Sequence, residues 1–180
     1  EAEIQRFKGA LEQTIKDTER LAEDLAVRVG EKEAEIMQGH MMLLSDPMLT
    51  GEIENSIKND GVNSEFAIEN VCNMYADMFA SMGDELMQQR ATDMRDIKTR
   101  MQRVLMGIQS VDISSLPAGS ILVAKDLTPS MTAGINPANV TGIVTELGGR
   151  TSHSAILARA LEIPAVVAVN SFIEGVKDGD

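Results

Sequence analysis

Over the first hundred or so residues the apolar positions recur at helical spacing. Ile4, Phe7, Leu11, Ile15, Leu21 and Leu25, with Thr18 in register, step by three or four, which places them on one face of a long helix. Gly30 ends or kinks that helix. A second runs from Lys32 to Ser45 and stops at Asp46-Pro47, because proline lacks the N–H and restricts the residue before it. A short helix over Met48–Lys58 leads to the turn Asn59-Asp60-Gly61. Asn63 or Ser64 caps the next helix, which carries Ala67, Val71, Met74, Met78 and Met82 at helical spacing until Gly83 interrupts it. The last helix runs from Asp84 to Leu105 or Met106, with Gly107 as its stop. Four main helices with short connections predict an antiparallel four-helix bundle over residues 1–109.

From Ser114 the period changes. Ile121–Ala124 reads as a short buried strand, Thr128-Pro129 as a helix start with proline at the first position, and Val140–Thr145 as a second strand. A helix beginning near His153 and a third strand, Ala165–Val169, follow. The order β-α-β-α-β predicts a largely parallel sheet. The fold class is therefore α+β in two parts: a helical domain (1–109), a linker (110–119) containing Pro117 and Gly119, and an α/β domain (120–180).

Composition narrows the function. A net charge of −12 argues against nucleic-acid binding. Aromatics make up only 3% and Trp is absent, so the 12 Met residues take over part of the core-filling role. The single cysteine, Cys72, excludes an intramolecular disulfide and suits a reducing, cytoplasmic setting. No apolar run approaches the ~20 residues of a membrane-spanning helix. No His/Cys cluster has metal-ligand spacing, so no metal site is expected.

The chemistry concentrates in Gly148–Arg159, GGRTSHSAILAR. A Gly-Gly turn, Gly148-Gly149, lets the backbone bend sharply and approach a ligand. Thr151 and Ser152 directly precede His153, which falls at the start of a helix whose first-turn N–H groups and dipole favour an anion. An imidazole that can be neutral at physiological pH is a nitrogen nucleophile. A lone histidine is more often a surface or capping residue; a phosphate-cradling turn beside it reverses those odds. Ile156, Leu157, Ala160 and Leu161 follow helical spacing and anchor the helix on a core. Arg150 lies beside the turn and is a further candidate phosphate contact.

GGRTSHSAILARALEIPAVV resembles the phosphohistidine signature of the phosphoenolpyruvate-utilising enzymes, among them pyruvate phosphate dikinase, phosphoenolpyruvate synthase and Enzyme I of the sugar phosphotransferase system. Gly30–Pro47 and Arg90–Arg100 resemble the helical docking region of the Enzyme I members. The resemblance implies that His153 takes a phosphoryl group from phosphoenolpyruvate and passes it to a histidine of the phosphocarrier protein HPr, the first step of sugar uptake. It implies a swivelling phosphohistidine domain in which Thr132 orients the resting imidazole, and it matches Arg159 to the family arginine that follows the histidine. It implies an HPr-docking surface of His40, Met42, Leu43, Asp46, Leu49, Phe79 and Arg90. Asp93 and Arg95 read instead as locks between bundle helices.

The resemblance further implies an N-terminal strand region before Glu1 and a C-terminal barrel beyond Asp180. That barrel would bind phosphoenolpyruvate and magnesium and would form the homodimer. The chain is thus expected to be a piece of a longer protein, monomeric and without a cofactor by itself, exchanging phosphate with HPr but not using phosphoenolpyruvate alone. Two alternatives stay open. One is the phosphohistidine domain of a dikinase or synthase; the other is a non-catalytic helical docking module. The sequence does not separate the sugar branch from the nitrogen branch of the system.

Overall fold

The computed structural model describes residues 1–108 and 113–180, and of Glu85 the backbone alone. The start of the expected linker, and residue 109 at the end of the expected helical domain, fall in 109–112, outside the described residues. The chain divides into two compact units, one of Glu1–Glu23 with Glu35–Ser110, the other of Asp24–Ala34 with Val111–Asp180.

The first unit is helical. Helix α1 spans Ala2–Arg28, α2 Glu31–Leu44, α3 Pro47–Asn55, α4 Ser64–Ser81 and α5 Glu85–Leu105; α1 and α2 each continue into the second unit. The α3 helix does not run on to Lys58 as an α-helix: it widens into a π turn over Ser56–Asp60, closed by Gly61 at φ 66°. The cap expected at Asn63 or Ser64 falls on Asn63, and Asp46 and Asp84, read from the sequence as a helix stop and a helix start, are caps as well. Asp46 accepts from Met48 N–H, Asn63 from Phe66 N–H and Asp84 from Leu86 N–H, each satisfying a donor that has no partner within the helix.

Ile4, Phe7, Leu44, Ile53, Ile68, Cys72, Met94, Ile97 and Met101 form a continuous buried cluster. Thr14 and Thr18 are buried too, and their hydroxyls donate back to Ala10 and Thr14 carbonyls at 2.7 and 2.6 Å. The expected apolar run of α4 is only half right. Ala67 and Val71 are buried, but Met74 and Met78 are 53% and 43% exposed. The helix packs along α5 and buries Ala67, Ile68, Val71, Cys72 and Ala76, and the two methionines lie at or beyond the margin of that strip. Small alanines let the helices approach closely, and long flexible Met side chains tolerate the water side.

In the second unit, β1 (Ser120–Ala124), β2 (Val140–Thr145) and β3 (Ala165–Val166) form a parallel sheet with β2 in the centre. Leu122 pairs with Ile143, and Ile143 with Ala165. Two short helices complete the order: α6 (Pro129–Ala133), capped by Thr128, and α7 (His153–Ala160), capped by Ser152. The third strand is two residues long rather than five. Ala168 sits at φ 62°, outside extended geometry, and the chain returns to β2 only through Val169 N–H on Thr145 O at 3.1 Å. Helix α6 starts at the expected Thr128-Pro129 and is short, because Gly134 and then Asn136-Pro137 end it. Ile113, Leu127, Ile135, Val140, Ile143, Ala158 and Ile163 form the core of this unit.

Candidate phosphoryl site and docking surface

The end of β2 sets the position of the histidine. Thr145 is fully buried, and its hydroxyl donates to Leu147 O at 2.7 Å, pinning the chain as it leaves the strand. Gly148 follows at φ 97°, a conformation that favours glycine. A Cβ there would lie 3.3 Å from Ser152 Oγ, so both backbone and space select glycine. Around Gly149 nothing crowds a Cβ; its contribution is its carbonyl, which accepts Ser152 N–H at 3.1 Å and Ser152 Oγ–H at 2.8 Å.

Ser152 is therefore the N-cap of α7 before it is anything else. Its hydroxyl also accepts Ala155 N–H at 3.3 Å and lies 2.9 Å from Ser154 Oγ, while its carbonyl takes Ile156 N–H at 3.0 Å. His153 is the first residue of α7 and half-buried. Leu157 and Ala158 bury the opposite end of the helix. Thr151, Arg150 and Arg159 are exposed. Helix α6 packs against α7, and on it Thr132 is 3% exposed, with its hydroxyl donating to Pro129 O at 2.8 Å. That use of the proton leaves the oxygen as an acceptor, the role an imidazole N–H needs.

The residues expected for docking separate by burial. Met42 is 71% exposed, and Leu43, Asp46, Phe79 and Arg90 are half-buried. His40 is wholly buried and Leu49 is 2% exposed, so neither offers a contact to a partner. His40 points its Nε2 at Asp93 Oδ1, 3.3 Å away, and Arg90 Nη1 lies 3.7 Å from Asp93 Oδ2. The guanidinium of Arg90 lies on Gly39, where a Cβ would collide with it. Asp46 is engaged as the α3 cap. Leu86 and Met82 are 56% and 53% exposed near Phe79 and Arg90 in sequence. Sequence pattern alone set Met82 in an apolar helical run; only its exposure marks it as available surface.

Cys72 is a core residue, and its burial pushes the thiol up to about 12. Among the described residues, no group of three or more His, Cys, Asp or Glu side chains gathers where it could hold a metal ion. No helix among the described residues is long and apolar enough to cross a membrane.

A helical unit and a parallel α/β unit, the second with a histidine opening a helix behind a glycine turn, correspond to the two parts of one enzyme class. The family models agree: PEP-utilising enzyme, N-terminal, matches residues 1–90, and PEP-utilising enzyme, mobile domain, matches 116–180. The chain belongs to the phosphoenolpyruvate-utilising enzymes. It is 43% identical over 180 residues to the phosphoenolpyruvate-protein phosphotransferase of Listeria monocytogenes, covering all of this chain and 32% of that protein. To the Bacillus subtilis protein of the same name it is 41% identical over 179 residues, covering 99% and 31%. The chain thus spans about a third of the length of these relatives. The solution structure of an Enzyme I protein superposes with a TM-score of 0.85 at 42% identity, over 99% of this chain and 72% of that one. The N-terminal domain of Enzyme 1 - Nitrogen gives 0.67 at 30% identity, over 92% and 67%.

Proposed function

We propose that this chain is the phosphohistidine and docking portion of a phosphoenolpyruvate-protein phosphotransferase, and that it exchanges a phosphoryl group between His153 and the histidine of HPr. The observation that carries the reading is the placement of His153 as the first residue of α7, behind a glycine-requiring turn at the end of β2. Ligands of open α/β sheets gather at such strand ends, and the helix start stabilises the negative charge of an incoming phosphoryl group.

Transfer between two imidazoles breaks one P–N bond and forms another of the same kind, so the step is readily reversible. It needs in-line positioning and charge neutralisation more than acid–base work. In this reading Thr132 accepts the N–H of the resting imidazole and fixes its tautomer, and the helix start neutralises charge. Ser152 holds the cap rather than contacting phosphate. Thr151, Arg150 and Arg159 are exposed and free to meet a phosphoryl group or a partner. The docking surface is Met42, Leu43, Phe79 and Arg90, extended by Met82 and Leu86: an apolar patch with a cationic edge, as transient interfaces require. His40 and Leu49 support it from inside. Phosphoenolpyruvate, magnesium and dimerisation are assigned to the part of the relatives beyond this chain, and the setting to the cytoplasm.

The test is to mix the chain with phosphorylated HPr and map acid-labile, base-stable phosphate. Label on His153 that is lost in His153→Ala and retained in His40→Ala is expected. Label on His40, or none on a folded chain, would overturn the reading.

A further inference from the structure

Arg28 is the last residue of α1 and belongs, with Asp24–Ala34, to the α/β unit. Its half-buried guanidinium donates through Nη1 to the carbonyl of Ile135 and through Nη2 to the carbonyl of Ala133. Both acceptors belong to residues that are 1% exposed. Ala133 closes α6, and Ile135 lies two residues beyond. The α6 exit spends its own donors elsewhere: Gly134 N–H goes to Met131 O and Ile135 N–H to Thr132 O, each at 3.1 Å. A buried carbonyl without a partner costs free energy, and a cation is favoured at a helix C-terminus. The planar fork of arginine can serve two carbonyls together, whereas an ammonium on a flexible stem is a single point.

These carbonyls sit close to the chemistry. Helix α6 carries Thr132 and packs against α7, the helix His153 opens. Ile135 shares the second core with Ala158, which lies on α7. Fixing the exit of α6 therefore fixes both the helix that carries Thr132 and a core side chain, Ile135, that shares its cluster with α7.

We infer that Arg28 is a positioning residue for His153, holding α6 in register against α7 by clamping the carbonyls of Ala133 and Ile135. The inference rests on the reading of His153 as phosphoryl acceptor. Sequence alone shows only a basic residue in the last turn of a helix, with nothing to name its partners.

The experiment compares wild type, Arg28→Met and Arg28→Lys in two readouts. The first is the rate of labelling by phosphorylated HPr at saturating HPr, with the half-saturating concentration. The second is the imidazole 15N shifts of the two histidines, His40 serving as internal control. In Arg28→Met the saturating rate is expected to fall about tenfold at unchanged half-saturation, and the His153 shifts to move while those of His40 stay. Arg28→Lys, keeping one of the two contacts, should recover part of both. Unmoved His153 shifts in folded Arg28→Met would overturn the inference, as would a rate loss that only follows the unfolded fraction. If wild type itself takes no label, the phosphotransfer reading falls, and the shift comparison alone decides whether Arg28 places the imidazole.

Discussion

His40 and Asp93 face each other across the helical unit, Nε2 to Oδ1 at 3.3 Å, with relative side-chain exposures of 0% and 7%. This buried pair stands behind Arg90, whose own nearest carboxylate is the same Asp93. Removing the carboxylate leaves His40 buried without the group its Nε2 faces, at a cost of about 1–3 kcal/mol, whereas removing the imidazole leaves Asp93 with Arg90 still 3.7 Å away. Asp93→Ala is therefore expected to lower the denaturation midpoint of the helical unit clearly. His40→Ala should lower it less, because Asp93 keeps Arg90, while the folded fraction still accepts phosphate on His153. Urea titration followed by circular dichroism measures the first effect; labelling by phosphorylated HPr measures the second.

Met42 and Leu49 separate surface from core. Met42 is 71% exposed and Leu49 2%. Met42→Asp should leave the melt near wild type and weaken HPr binding about tenfold, a loss of roughly 1–2 kcal/mol. Leu49→Ala should cost about 2–5 kcal/mol of stability through the cavity it opens, with binding reduced only as the fold is lost. A calorimetric titration beside each melt distinguishes the two, and a Met42→Asp protein that is folded and binds normally would remove that residue from the surface.

Much of this is legible in the sequence itself. The cap at Asn63 could be read because it is a local hydrogen bond, set by residues three apart. His153 at the start of α7 followed from the glycine turn for the same reason. What failed was non-local. The exposure of Met74 and Met78 depends on which strip of α4 meets α5, and periodicity offers both faces. His40 lies in an apolar stretch, and its partner Asp93 is 53 residues on, by subtraction of their numbers. The shortening of β3 depends on the left-handed turn at Ala168, which an apolar run does not announce. The Arg28 contacts span more than a hundred residues.

Gly148 tests the turn. With φ at 97° and a substituent Cβ only 3.3 Å from Ser152 Oγ, Gly148→Ala should cost about 1–3 kcal/mol of local backbone strain and disturb the cap of α7. Gly149→Ala meets no neighbour within 4 Å and should be mild. Labelling of His153 is expected to fall severalfold in the first variant and little in the second. Equal loss in both would mean that the glycines act on the ligand directly rather than through the turn.

Cys72 carries a pH signature. Its thiol is pushed up to about 12 by burial, against ~8.5 in an unfolded chain. The unfolded state therefore releases this proton first. The stability that the neutral thiol secures is intact below about pH 8.5 and declines as pH rises toward the folded value. Tyr75 is raised as well, by burial first and then by Glu52 and Asp46, and acts in the same direction. Urea midpoints should fall progressively above about pH 9, and Cys72→Ala should flatten part of that slope. At pH 8 a thiol reagent should react only as fast as the chain opens.

The two units should not be equally protected. In the α/β unit the third strand is two residues long and both are exposed, and the chain leaves it through positive-φ residues at Ala168 and Ser171. The helical unit has long capped helices around a continuous core. Amide exchange follows local opening, and segments with few buried contacts open at lower cost. Residues 163–180 should therefore exchange fastest, β1 and β2 more slowly, and the α4 and α5 amides slowest of all. Within the α/β unit Arg28→Met should speed exchange selectively at 130–136, where its carbonyl contacts lie. Uniform protection across both units would show that β3 is held by more than its two ladder residues, and a series in protein concentration would reveal whether a second copy supplies that hold.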